Sequence, residues 1–143
     1  MITSLFLVDD EELFHIVFDD ACSTIDLSYV VETCYTTDDA EDKFKVWMED
    51  QGDRPECAFI DLNIVGSSYD GIELVRRINT KYGNGLVIGI ISSSQDQVEI
   101  DKAREAGAMF WIVKSDDIEP RLEQFKEDYA GYQDGTQVFK VYA

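Results

Sequence analysis

Asp61 ends the apolar run Ala58-Phe59-Ile60, and the other reactive side chains can be placed around its carboxylate. Three further apolar runs end in polar groups in the same way. Leu5 to Val8 runs into Asp9 and Asp10, Leu86 to Ile91 into Ser92-Ser93-Ser94, and Met109 to Val113 into Lys114. In a parallel α/β sheet the carboxyl ends of the strands share one edge, and ligands bind in the crevice there. The spacing thus predicts one site that gathers three carboxylates, a hydroxyl and an ammonium. Neighbouring acids repel one another and raise each other's pKa. A divalent cation, which takes hard oxygen ligands, relieves that repulsion. A metal site is therefore a better reading than three idle acids.

The elements that must hold this edge are short apolar runs alternating with amphipathic stretches, the βαβα pattern of a parallel sheet covered on both faces. Strands are expected at about 4–8, 28–34, 56–61, 86–91 and 109–113. The first helix, about 11–23, carries Leu13, Val17 and Ala21 one turn apart, with Phe14, Phe18 and Cys22 beside them. His15 falls on its partly exposed side and is given no ligand role. The second helix opens at Thr37 or Asp38, both good N-caps, and repeats Ala40, Phe44, Trp47 and Met48 until Gln51 to Pro55 breaks it. Asp70 with Glu73, and Ser94 with Gln97, are spaced as capping boxes for the third and fourth helices. Gly83-Asn84-Gly85 is a turn, and Gly107 closes the fourth helix. The fifth begins near 115–117, tolerates Pro120 in its first turn and aligns Ile118, Leu122, Phe125 and Tyr129. After Gly131 the pattern changes, Asp134-Gly135 is a turn signal, and 136–142 is β-prone. The tail 131–143 reads as an extra strand or as disorder.

A chain of 143 residues is read as one domain with a real core. Twelve basic against 30 acidic residues leave a net charge of −18, which disfavours direct binding to nucleic acid or anionic lipid. Cys22, Cys34 and Cys57 are too few and too spread for a disulfide framework or zinc site. The first residues do not read as a secretory leader, and no apolar run approaches the length a membrane helix needs. A cytoplasmic location is expected.

An acidic pair after the first strand, Asp61 after the third, a hydroxyl after the fourth and Lys114 after the fifth resemble the receiver domain of two-component response regulators. Asp70-Gly71-Ile72-Glu73-Leu74 is similar to that family's DG-x-EL helix start, and Gly107-Ala108 precedes Lys114 at the family's usual distance. The likeness spans about residues 2–130. It implies a flavodoxin-like, doubly wound (βα)5 fold, an α/β structure whose five-stranded parallel sheet has the order 2-1-3-4-5. The receiver domain would be 1–130. The resemblance also assigns roles. Asp61 would be the phosphorylated residue, Asp10 would bind Mg²⁺ directly, Asp9 directly or through water, and Asn63 through its backbone carbonyl. Ser92 would hydrogen-bond the phosphoryl oxygen and Lys114 would pair with it. Whether Ser92 or Ser93 faces the site depends on strand register, and Ser92 is preferred. Trp111 stands where the family often has an aromatic switch residue, with Ser92 as the other half of the switch.

The resemblance implies a single-domain response regulator. A histidine kinase or histidine phosphotransfer protein would phosphorylate it, and a downstream protein target would read it. It would be no enzyme beyond Mg²⁺-dependent chemistry on its own Asp61. Some residues depart from the family. Ile64-Val65 replace its usual Met-Pro, the loop to Asp70-Gly71 is about two residues longer, and Ser115 replaces the Pro after Lys114. A cis peptide is therefore not expected there. Two rivals remain. A haloacid-dehalogenase-type phosphatase would use Asp61 as nucleophile but needs a second Asp where Asn63 stands, and an amide cannot act as the general acid. A receiver-like module that binds partners without phosphorylation would be compatible with the altered loops. An EF-hand starting at Asp61 is rejected, because Val65 and Ile72 fall at ligand positions.

Overall fold

The computed structural model describes residues 4–27, 30–49, 54–82 and 86–143. Ser28 and Tyr29 of the expected second strand, the break at 51–53 and the turn at 83–85 lie outside them. The strands are β1 (Ser4–Val8), β2 (Val30–Cys34), β3 (Cys57–Asp61), β4 (Val87–Ser92), β5 (Phe110–Val113) and β6 (Lys140–Tyr142). Between them run α1 (Glu12–Thr24), α2 (Thr37–Glu49), α3 (Gly71–Tyr82), α4 (Gln97–Ala106) and α5 (Glu119–Asp134). The sheet order is β2-β1-β3-β4-β5-β6, and every pairing is parallel.

The two-residue period of each strand splits its side chains between two cores. Leu5, Leu7, Phe59, Phe110 and Ile112 pack with Phe14, Phe18, Leu122 and Phe125 of α1 and α5. Phe6, Val8, Ile60, Trp111 and Val113 pack on the other face with Phe44, Leu74, Val75 and Ala103 of α2, α3 and α4. With both faces covered, β3 and β4 are buried at every residue, which is why they read as unbroken apolar runs.

Three expectations are corrected. Leu13 is 70% exposed, and the buried stripe of α1 is Phe14, Phe18, Ala21 and Cys22. Helix α4 is capped by Asp96, whose carboxylate accepts from Val98 N, rather than by Ser94. Ser94 Oγ instead accepts from Asp96 N and donates to Glu99. Gly131 does not end the fifth helix; α5 continues to Asp134 and stops at Gly135, a left-handed residue with φ 82°. Gly131 is required for another reason. A Cβ there would lie 2.9 Å from that of Gln137, whose N–H donates to the Gly131 carbonyl as the chain turns back.

The expected order 2-1-3-4-5 is present, and the tail supplies the extra strand β6 at its edge. Phe110 pairs with Lys140, Trp111 with Val141 and Ile112 with Tyr142. Tyr142 is buried, and its hydroxyl donates to Asp128 of α5 at 2.7 Å while accepting from Tyr132 at 2.8 Å. Lys140 adds a 3.0 Å ion pair to the same Asp128.

Candidate functional site

Strand register brings the reactive residues together. Val8 pairs with Ile60, so Asp9 follows β1 beside Asp61 at the end of β3. Ser92 pairs with Val113, and the next amide, Lys114 N, still donates to Ser92 O at 2.9 Å. The result is a cleft of about 430 Å³ lined by Asp61, Asn63, Ser92, Ser93, Lys114 and, from α1, Phe14.

Within it Asp61 is 7% exposed, and its Oδ1 accepts from Leu62 N at 2.8 Å. Its Oδ2 is 3.3 Å from Lys114 Nζ. Asp9 is fully buried, and its Oδ1 accepts from Glu11 N at 2.8 Å. Asp9 Oδ2 faces Lys114 Nζ at 2.5 Å but has no aligned hydrogen-bond donor among the described residues. Lys114 also lies 4.4 Å above the Phe14 ring. Asp10 is half-buried, and its Oδ2 accepts from Val65 N at 3.3 Å.

The charges interact strongly because water is largely excluded. Burial, reinforced by Asp9, raises the Asp61 carboxyl to about 6, although Lys114 pulls it the other way. Burial works against the Lys114 ammonium, yet Asp9 and Asp61 outweigh it and hold its pKa above the ordinary lysine value. The ligand oxygens of Asp9, Asp10 and Asp61 lie within 4.8 Å of one another. An all-oxygen donor set that leaves Asp9 Oδ2 without an aligned donor fits a hard divalent cation. Asn63 is exposed at the rim of the cleft, on the loop leaving Asp61.

Ser92 is buried and Ser93 exposed, and both line the cleft. Ser92 Oγ accepts from Ser94 N at 3.2 Å, which leaves its own hydrogen free for a ligand oxygen. Trp111 is fully buried beneath α4, and its Nε1 donates to Ser94 O at 3.0 Å. One short loop thus touches both Ser92 and Trp111.

The longer loop after Asp61 is clamped to α2. Thr37 Oγ1 donates to Tyr69 O at 2.8 Å, Thr37 N donates to Ser67 Oγ at 2.9 Å, and Ser68 N donates to Asp38 at 2.8 Å. Tyr69 OH donates to Glu41, and the Arg77 guanidinium stacks 3.8 Å over the Tyr69 ring. Asp70 caps α3 by accepting from Glu73 N at 2.9 Å. Glu73 does not reach back, because Arg76 and Arg77 hold its carboxylate. Among the described residues there is no cis peptide.

Two residues named from the sequence have roles there that it did not show. Gly71 lies so close to β3 that a Cβ would stand 2.0 Å from the Asp61 carbonyl oxygen. The glycine lets α3 start directly against the acceptor residue. His15 is buried rather than partly exposed, and its Nε2 hydrogen-bonds the Asp9 carbonyl at 2.7 Å.

Comparison with known proteins decides the family. The model of the response regulator receiver domain matches residues 5–124. The chain belongs to that family. No curated protein sequence matches it significantly. In fold this receiver domain is similar to the Mn²⁺-bound response regulator Rcp1 (TM-score 0.72, 15% identity, covering 89% of this chain and 94% of that one). It is similar also to a LuxR-family response regulator from Aurantimonas sp. SI85-9A1 (0.74, 24% identity, 96% and 89%). A third is the phosphorylated cyanobacterial phytochrome response regulator RcpA (0.68, 18% identity, 95% and 96%). Among the described residues no helix is long and apolar enough to cross a membrane.

Proposed function

We propose that this receiver domain accepts a phosphoryl group on Asp61 from a phosphohistidine of a histidine kinase or histidine phosphotransfer protein. The observation that carries the reading is the setting of Asp61, a buried carboxylate at a strand end, 3.3 Å from Lys114 and grouped with Asp9 and Asp10. An Asp61 oxygen attacks phosphorus, the N–P bond of the donor breaks, and the imidazole leaves with the electron pair. Asp9, Asp10, Asp61 and the Asn63 carbonyl would hold Mg²⁺, which would supply charge neutralisation between the two anionic reactants. Lys114 keeps its ammonium charge for the phosphoryl oxygens, and the Ser92 hydroxyl donates to one of them. The Mn²⁺-bound Rcp1 and the phosphorylated RcpA, similar in fold, support both parts of the reading.

Drawing Ser92 toward the phosphoryl group loosens its bond to Ser94 N, and Ser94 O is the anchor of Trp111. A downstream protein would read the resulting change near α4 and β5. The net charge of −18 supports protein contact over direct nucleic-acid binding. The protein works in the cytoplasm, and its chemistry is limited to gaining and hydrolysing its own acyl phosphate. Borohydride reduction after acetyl phosphate treatment tests the assignment. Homoserine at position 61 in a peptide map is expected, whereas reduction at another position or none would refute it.

A further inference from the structure

His15 is the single histidine of the chain and takes no part in the proposed transfer. Its ring lies tilted against Tyr35 with centroids 4.6 Å apart, and it is 8% exposed. A carbonyl oxygen can only accept, so Nε2 carries the hydrogen that bridges the 2.7 Å to Asp9 O. Nδ1 is buried without a hydrogen-bond partner among the described residues. The other polar atoms of Asp9 face their own neighbours. Its N donates to Cys34 O at 3.0 Å, Oδ1 accepts from Glu11 N, and Oδ2 faces Lys114. His15 is therefore the side chain that holds the carbonyl end of the peptide joining Asp9 to Asp10. Rotation of that peptide would swing the Asp10 carboxylate, which is tethered by Val65 N at a longer 3.3 Å.

We propose that His15 is a positioning residue of the metal site: by holding the Asp9 carbonyl it fixes the direction of the Asp10 carboxylate and so sets divalent-cation affinity. This rests on the reading of Asp9, Asp10 and Asp61 as the Mg²⁺ ligands. A packing role and a positioning role separate cleanly at this site. His15→Phe keeps an aromatic ring against Tyr35 but removes the donor. His15→Gln loses the ring contact with Tyr35 but carries an amide N–H at the reach of Nε2.

The test is Mg²⁺ titration by calorimetry of the wild type and both variants, each confirmed folded by circular dichroism. Loss of a group that orients a metal ligand lowers affinity by about tenfold or more. His15→Phe should show that loss, and His15→Gln should stay within about threefold of wild type. Nitrogen-15 shifts of the metal-free wild type should show hydrogen on Nε2. Mg²⁺ affinity of His15→Phe within twofold of wild type, or hydrogen on Nδ1 alone, would overturn the inference while leaving the metal site standing. Absence of Mg²⁺ binding by the wild type would overturn both.

Discussion

At Asp61 the cost of burial outweighs the help from Lys114, and the carboxyl titrates near 6 instead of 3.8. Between those values the folded, metal-free protein retains a proton that the unfolded chain has released. Its stability therefore falls as pH rises from about 4 to about 6 and stays lower above that range. A shift of about two units corresponds to roughly 3 kcal/mol. Metal-free Asp61→Asn should accordingly be more stable than wild type by about 2–3 kcal/mol at pH 7.5, and the two should converge near pH 4. Urea unfolding in chelator at both pH values checks this, and saturating Mg²⁺ should narrow the gap for wild type. The meeting of Asp9, Asp61 and Lys114 was legible in the sequence because each stands at the end of an apolar run, where side-chain type and strand end coincide. His15 was misplaced for a physical reason. Periodicity treats histidine as polar and cannot register a buried carbonyl in need of a donor.

At the scale of elements, the junction of β3 and α3 governs the site. Because a Cβ on residue 71 would collide with the Asp61 backbone, Gly71→Ala forces α3 and the acceptor apart. The variant should lose about 1–3 kcal/mol of stability, in the range of an overpacked core, and should bind Mg²⁺ more weakly. Urea titration and calorimetry measure the two effects separately. The β4–α4 connection makes a second expectation. With Trp47→Phe as background, Trp111 fluorescence should change on adding beryllofluoride with Mg²⁺, because Ser94 bonds both Ser92 and the indole. An unchanged spectrum despite bound beryllofluoride would break that link. The strands were readable because parallel strands buried on both faces are continuously apolar. Helix starts were less so: the spacing of Ser94 and Gln97 suits a capping box, yet Asp96 competes for the same helix end and wins it.

Across the whole molecule, the β-prone stretch 136–142 left an extra strand and disorder open, and β6 on the edge of β5 is the outcome. Its three residues are too few to carry a periodic pattern, and Gly131, where the helical pattern changes, is there to admit Gln137. What holds the strand is the Tyr142 hydroxyl between Tyr132 and Asp128, together with Lys140 on Asp128. Tyr142→Phe should cost about 1–3 kcal/mol in urea unfolding, since it leaves the Tyr132 hydroxyl and the Asp128 carboxylate each short of a partner. The order 2-1-3-4-5 followed from the family likeness, and the gathering of Asp9, Asp10, Asp61, Ser92 and Lys114 on one edge from the alternation of elements. The exposed apolar Leu13 did not, because helical spacing alone does not say which of two adjacent apolar rows faces the sheet.

The most direct test of the phosphoacceptor reading is intact mass after incubation with acetyl phosphate and Mg²⁺, beside Asp61→Asn and a chelator control. A single phosphoryl adduct that is absent from both controls is the expected result. An unmodified wild type, or an adduct that persists in Asp61→Asn, would contradict it and favour a receiver domain that binds its partner without phosphorylation of Asp61.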